Sequence, residues 1–337
     1  MLELIRVRGF PAFVAIAFIN AFVDLGHKIT IQNTLFKVYD GDTQILLTAI
    51  VNGLILLPFI LLFTPAGFLS DKYPRHRVMR VSAWAAVAIT LAITACYYQG
   101  WFIPAFALTF ILAVQSALYS PAKYGFIREL LGNERLSEGN GWIQATTMVA
   151  ILSGIVAFSA LFEWRVAALA QMNATDILQQ IAPLGWVLVL GAVLEVVLSY
   201  RLPALSETDR TQAFDLQDYL TGRSLKRNLR SLAEPRVILL SIIGLALFWS
   251  VSQVMLAVFP AYAETHLGQD NTFVIQSVMA MAGVGIMIGA VVAARLSRHF
   301  INAGLIPLGA VGIALGLLCL PMLDSIWLSA GAFLLIG

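Results

Sequence analysis

The sequence predicts an all-α protein that crosses a membrane many times. Three observations carry this. The 337 residues are 59% hydrophobic and 12% charged, with a mean hydropathy of +0.84, whereas a soluble domain carries about twice that charge fraction. Apolar runs long enough to cross a bilayer recur along the chain. Lysine and arginine collect on alternate connections.

The apolar spans fall at about 10–36, 43–70, 77–98, 101–125, 140–162, 183–201, 236–260, 272–296 and 302–322. A tenth begins near Ile326 and stops at Gly337. About 20 residues cross the hydrocarbon, so each complete span suits a tilted helix. The first is long and contains charges, unlike a cleavable signal peptide. Cys96 and Cys319 lie inside apolar runs, which implies neither a disulfide framework nor a metal site. No nucleophile–base set, metal spacing or nucleic-acid module is apparent, so an enzyme is not expected and no cofactor is implied.

Orientation follows from the basic residues. With the N-terminus inside, the inner segments hold Arg6 and Arg8, Lys72 to Arg80, Arg128 and Arg135, Arg201 to Arg236, then Arg295 and Arg298. The outer segments hold Lys37 and Arg165. This places the N-terminus in the cytoplasm.

Charges within spans are costly and usually face a bundle interior. In the first span Asn20, Asp24, His27, Lys28 and Gln32 share one helical face. Asp24 and Lys28 form an acid-to-base i,i+4 pair in the favourable order. Two readings are open: a polar stripe toward a central cavity with Asp24 binding or gating substrate, or an ion pair that locks the helix to a neighbour. Near the end of the fourth span, Pro121 frees a backbone carbonyl. Lys123 lies about one turn inside the interface. It either snorkels or meets a phosphate head group, Asp24 or Glu129. Asn140, Gln144 and Thr147 share a face of the fifth span and either line a cavity or bond between helices. Gln253 is the cavity candidate of the seventh span. Gly285, Gly289 and Ala293 read as a packing ridge. Glu195 has no evident partner.

The charged stretch from Gly67 to Arg77 reads G-x-L-x-D-K-x-P-R-H-R. It resembles the loop between helices 2 and 3 of Major Facilitator Superfamily transporters, with Pro74 in place of a glycine and His76 in place of a basic residue. Gly67 is expected to allow close helix contact. Asp71, Arg75 and Arg77 are expected at the membrane surface, as a loop that takes part in conformational change. The resemblance implies six plus six helices built from inverted repeats. On that plan residues 1–201 are an N-terminal six-helix bundle. Residues 202–235 are a cytoplasmic linker with a basic amphipathic helix. Residues 236–337 are an incomplete C-terminal bundle ending within helix 10. The run from Gly289 to Arg295 looks like a decayed second copy of the loop signature.

Ala117-Leu118-Tyr119-Ser120-Pro121-Ala122-Lys123-Tyr124-Gly125, with Glu129-Leu130, resembles a segment of the bacterial lysophospholipid transporter family. Phe22-Val23-Asp24, Asn140-Gly141 and Leu247-Phe248-Trp249 match the same family. The resemblance implies a secondary transporter of the inner membrane that flips lysophospholipid inward, chiefly lysophosphatidylethanolamine. It implies roles for Asp24, Lys123 and Glu129. It also implies an acyltransferase or acyl-carrier-protein synthetase, in cis or trans, as partner. Leu256 stands where the family has an arginine. A zwitterionic head group needs an acid for its ammonium and a base for its phosphate, which Asp24 and Lys123 supply. Two other readings remain: a proton-coupled exporter of drugs or small metabolites, and a non-transporting anchor for a lipid-modifying enzyme.

Overall fold

A computed structural model describes residues 4–169, 173–205, 216–223, 225–226, 229–230, 234, 236–296 and 305–337. Its helices are α1 (Phe10–Val38), α2 (Gly41–Leu61), α3 (Phe63–Lys72), α4 (Arg75–Gln99), α5 (Phe102–Leu131), α6 (Leu136–Val166), α7 (Ala174–Ser199), α8 (Leu216–Leu220), α9 (Arg236–Leu267), α10 (Thr272–Leu296), α11 (Leu305–Cys319) and α12 (Ile326–Ile336). No strand occurs among the described residues. Eight of these helices are long and apolar enough to cross a membrane, which makes the chain a multi-pass membrane protein. Several run to about 30 residues, or roughly 45 Å at 1.5 Å per residue, so they tilt or protrude from a core about 30 Å thick.

Two predicted spans change shape. The span expected at 43–70 is two helices, α2 and α3, broken at Leu62. Pro65 is responsible. It has no N–H, so the Leu61 carbonyl has no partner one turn on. The Tyr219 hydroxyl, in the short helix α8, donates to that carbonyl at 2.6 Å. The span expected to begin at 183 begins at Ala174. Asn173 caps it by accepting the Asp176 N–H at 2.9 Å, and Pro183 is taken inside the helix. Half of the expected linker, with Arg210, Arg227 and Leu232, lies outside the described residues. So do Arg298 and the start of the ninth span.

The charged stretch 67–77 is mostly helical rather than a loop. Only Tyr73 and Pro74 stand between α3 and α4. Tyr73 is extended, at φ −113° and ψ 149°, as a residue before proline prefers.

Helix α1 runs between α5, α6 and α7, and α4 packs along α5 and α7. Small residues set these distances. A Cβ at Gly185 would lie 2.5 Å from the Thr94 hydroxyl, and one at Gly26 would lie 2.4 Å from the Phe158 ring. Glycine at both positions lets the helices approach closely. Gly100 ends α4 with a left-handed φ of +67°. The cores are apolar: Ile31, Leu35, Tyr97, Phe158 and Phe162 pack at one level, and Phe10, Phe13, Met79 and Phe126 at another. A third core joins Phe36 of α1 to Phe259, Ile275 and Phe333 of α9, α10 and α12. Gly285 lies against the Leu334 carbonyl of α12, so the small-residue ridge of α10 is a packing surface.

Candidate functional site

A cavity of about 230 Å³ opens between α1, α2, α5 and α6. Asp24 and Lys28 of α1, Ser116 of α5, Phe59 of α2 and Ile151 of α6 line it. The expected Asp24–Lys28 ion pair is absent among the described residues. Asp24 is instead hydrogen-bonded by the Ser116 hydroxyl, which leaves Lys28 facing the same cavity without a hydrogen bond or ion pair among the described residues. A well-placed donor on a neighbouring helix displaces a local i,i+4 pairing worth only about 0.2–0.5 kcal/mol.

The rest of the predicted stripe on α1 divides. His27 is fully buried and does not line the cavity. Its Nδ1 is 2.7 Å from the Tyr97 hydroxyl and its Nε2 is 3.1 Å from the Thr109 hydroxyl. Both ring nitrogens are therefore occupied by α4 and α5. Gln32 donates to Asn52 of α2 at 3.1 Å. Asn20 faces α7, where it is a polar neighbour of Glu195.

Below Ser116, two turns further along α5, Lys123 is 8% exposed. It does not snorkel. Its ammonium lies over the rings of Tyr124 and Tyr119, at 4.9 and 5.7 Å from their centres. Its acidic neighbours are Asp24 and Glu195. Glu195 is 1% exposed, and among the described residues neither carboxylate oxygen has a hydrogen-bond partner. The Tyr119 hydroxyl beside it is also buried without one. Two acids and one ammonium from α1, α5 and α7 thus stand as charged neighbours, with Lys123 and Glu195 buried behind the cavity and Asp24 on its wall. Glu195 is the member that sequence reasoning left unexplained. Its only signal was a lone carboxylate in an otherwise apolar span.

Glu129 pairs with Arg75, not with Lys123. The Arg75 guanidinium also reaches Asp71 at 3.5 Å, the Ser70 hydroxyl at 3.4 Å and the Gly125 carbonyl at 3.4 Å. It presses close on Gly125, where a Cβ would come within 2.3 Å of its Nε. The close contact expected at Gly67 is therefore made at Gly125, since nothing stands within 4 Å of a Cβ at Gly67. Arg77 points away from this network, as a residue two positions on along a helix must.

A second cavity, of about 170 Å³, lies between α6, α9, α10 and α12. Its walls are Met148, Leu152, Trp249, Met255, Met279 and their neighbours. Ile151 is shared with the first cavity. Ser252 and Trp249, not Gln253, line this second cavity, because one residue along α9 rotates the side chain by about 100°. Asn140 and Gln144 line neither. They lie two turns and one turn before Met148, respectively, on the same face of α6, and Gln144 is exposed. Leu256 lies between this cavity and a small polar one lined by Gln32, Asn33, Gln44 and Gln276.

That polar region closes one end of the molecule. Gln276 of α10 donates to Asn33 at 3.1 Å, and Asn33 donates to Ser159 at 3.3 Å. Lys37 pairs with Glu163, which also accepts the Thr272 N–H. At the other end, the first turns of α9 are exposed, with Leu240 67% and Leu247 63% open. These contacts thus close the molecule at the C-terminal end of α1, while the first turns of α9 stay exposed at the other.

Among curated proteins, the chain is 28% identical to Lysophospholipid transporter LplT of Photorhabdus laumondii, over 98% of the chain and 76% of that protein. It is 29% identical to the protein of the same name from Serratia proteamaculans, over 93% and 72%. Among solved structures, a D-xylose-proton symporter superposes with a TM-score of 0.63 at 16% identity, covering 96% of the chain and 79% of the symporter. An inward-facing bacterial homologue of the lysosomal transporter Spinster gives 0.59 at 12% identity, covering 98% and 72%. The profile described as Major Facilitator Superfamily matches residues 12–337, nearly the whole chain, so the chain belongs to the Major Facilitator Superfamily of membrane transporters.

Proposed function

We propose that the chain is a lysophospholipid transporter that moves its substrate inward across the bacterial inner membrane by alternating access, with its N-terminus in the cytoplasm. The observation that carries this reading is the shared wall at Ile151. On one side lies a cavity with a carboxylate and an ammonium unpaired among the described residues; on the other lies an apolar cavity lined by methionines. An amphiphile with a zwitterionic head and one acyl chain matches that pair of environments. The substrate ammonium is assigned to Asp24 and its phosphate to Lys28, with Lys123 behind them. Methionine walls adapt to a flexible chain. The relatives named as lysophospholipid transporters support the substrate class.

On this reading residues 1–201 and 236–337 act as the two rocking bodies, with 202–235 as the linker. Asn140, Gln144 and Gln253 border the path of the substrate. Asp71, Arg75, Arg77 and Glu129 govern the conformational change. The delivered lysolipid is consumed by a re-acylating enzyme of the acyltransferase or acyl-carrier-protein synthetase class.

The test is inward movement of labelled lysophosphatidylethanolamine in liposomes containing the purified chain. Movement above empty liposomes is expected, with Asp24→Asn and Lys28→Ala each reducing it at least tenfold. Wild-type rates in both variants, at equal protein content, would overturn the assignment. Movement that collapses with the proton gradient would favour a proton-coupled mechanism instead.

A further inference from the structure

We propose that the groove between α3, α4 and α5 binds a resident membrane glycerophospholipid, with its phosphate on Arg77 and one acyl chain along α4. The groove encloses about 500 Å³. Its walls include Val81, Ala85 and Ile89 of α4 and Ile111 and Val114 of α5. It opens outward, since Val81 is 70% and Ile111 44% exposed. It lies on the opposite side of α5 from the Asp24 cavity and shares no lining residue with it.

The groove offers an amphiphile one charged handle, with Tyr73 beside it at the α3–α4 turn. Ser82 and Gln115, deeper in its wall, bond to each other's helices: the Ser82 hydroxyl donates to the Gln115 carbonyl at 3.4 Å, and the Gln115 amide donates to the Ser82 carbonyl at 3.0 Å. Arg77 stands at the mouth. Of the three arginines in the first turns of α4, Arg75 holds Glu129 and Asp71, and Arg80 bonds the Ser199 carbonyl and stacks on Tyr200 at 4.1 Å. Arg77 is exposed and, among the described residues, has no hydrogen bond or ion pair.

Length and charge select the occupant. From Arg77 to Ile89 the helix rises roughly 18 Å at 1.5 Å per residue. One leaflet of a hydrocarbon core about 30 Å thick is about 15 Å deep. The guanidinium therefore sits at the interface when the far end of the groove reaches the bilayer centre. That is the geometry of a leaflet lipid with its phosphate on a fork of N–H donors and its second chain left in the bilayer.

The test extracts the full chain from membranes in mild detergent and counts bound lipid by native mass spectrometry. Phosphatidylglycerol, phosphatidylethanolamine and a monoacyl lysolipid are then added back separately. About one diacyl phospholipid per chain is expected to survive extraction. Arg77→Gln removes the anchor, and Ala85→Trp fills the groove. Each is expected to lower retention about tenfold, given a charge-assisted phosphate contact of ordinary strength. Val187→Trp, at an exposed position on α7, is expected to leave retention unchanged. Arg77 is exposed and unpartnered, so its variant should fold even if the tryptophan variant does not. Wild-type retention in folded Arg77→Gln would overturn the proposal. So would retention of lysolipid with no diacyl lipid, which would place the groove on the substrate path.

Discussion

Lys37 Nζ lies 3.1 Å from a Glu163 carboxylate oxygen and donates to the Asp270 carbonyl at 2.8 Å. One ammonium thus ties α1 to α6 and to the turn between α9 and α10. Glu163 completes the tie by accepting the Thr272 N–H. Both ionic side chains are mostly buried, at 12% and 16% exposure, so water screens the pair less than it would on an open surface.

This tie is expected to bias the transporter toward the state sealed at that end. Lys37→Ala or Glu163→Gln should weaken the bias by about 1 kcal/mol, roughly fivefold in population. A cysteine at Thr48, which is 3% exposed in the sealed region, reports the change in a background lacking Cys96 and Cys319. Its labelling by a membrane-impermeant thiol reagent should rise several-fold in either variant. Equal labelling in wild type and variants would show that the pair does not hold the seal.

Arg75 and Glu129 make a different prediction, because they lie at the opposite end and within one set of helices. Arg75 bonds acceptors on both α3 and α5, so it fixes the α3–α4 turn against the end of α5. Both side chains are about four-fifths buried. Loss of either charge should lower unfolding stability by about 1–3 kcal/mol. Gly125→Ala should reproduce part of that loss by pushing Arg75 off its seat. Thermal unfolding in detergent checks this, and a Gly125→Ala variant as stable as wild type would show that Arg75 relocates freely.

Much of this was legible in the sequence, and what was not has identifiable causes. Hydropathy and the alternation of basic residues located the spans, because lipid demands long apolar helices. That Asp24 and Lys123 face the interior was legible for the same reason: charges in such spans rarely face lipid. Partners were not. Spacing proposed Lys28 for Asp24, but Ser116 of α5 takes that carboxylate. It proposed His27 as part of a cavity stripe, but Tyr97 and Thr109 hold its ring on the buried side. A helical face is broad, and which neighbour it meets is a tertiary fact. Gly67 and Gly125 show the same limit. Both stand near the charged stretch, yet only Gly125 is pressed by a side chain.

The neighbouring charges of Asp24, Lys123 and Glu195 support the sharpest prediction. Asp24 shares its cavity with Lys28, so removing Lys123 leaves chiefly the buried Glu195 without its cationic neighbour. Breaking a buried ionic group in this way costs about 3–5 kcal/mol, whereas replacing the whole set by neutral groups can be nearly neutral. Lys123→Met is therefore expected to be strongly destabilising alone. Glu195→Gln alone should change stability little, since among the described residues neither carboxylate oxygen has a hydrogen bond to lose. The double variant should recover much of the Lys123→Met loss, giving a coupling of at least 1 kcal/mol. Denaturant unfolding of the four proteins in one detergent measures the cycle. Strictly additive effects would mean that Lys123 does not offset the charge of Glu195, and its long side chain would then serve packing against Tyr119 and Tyr124 alone.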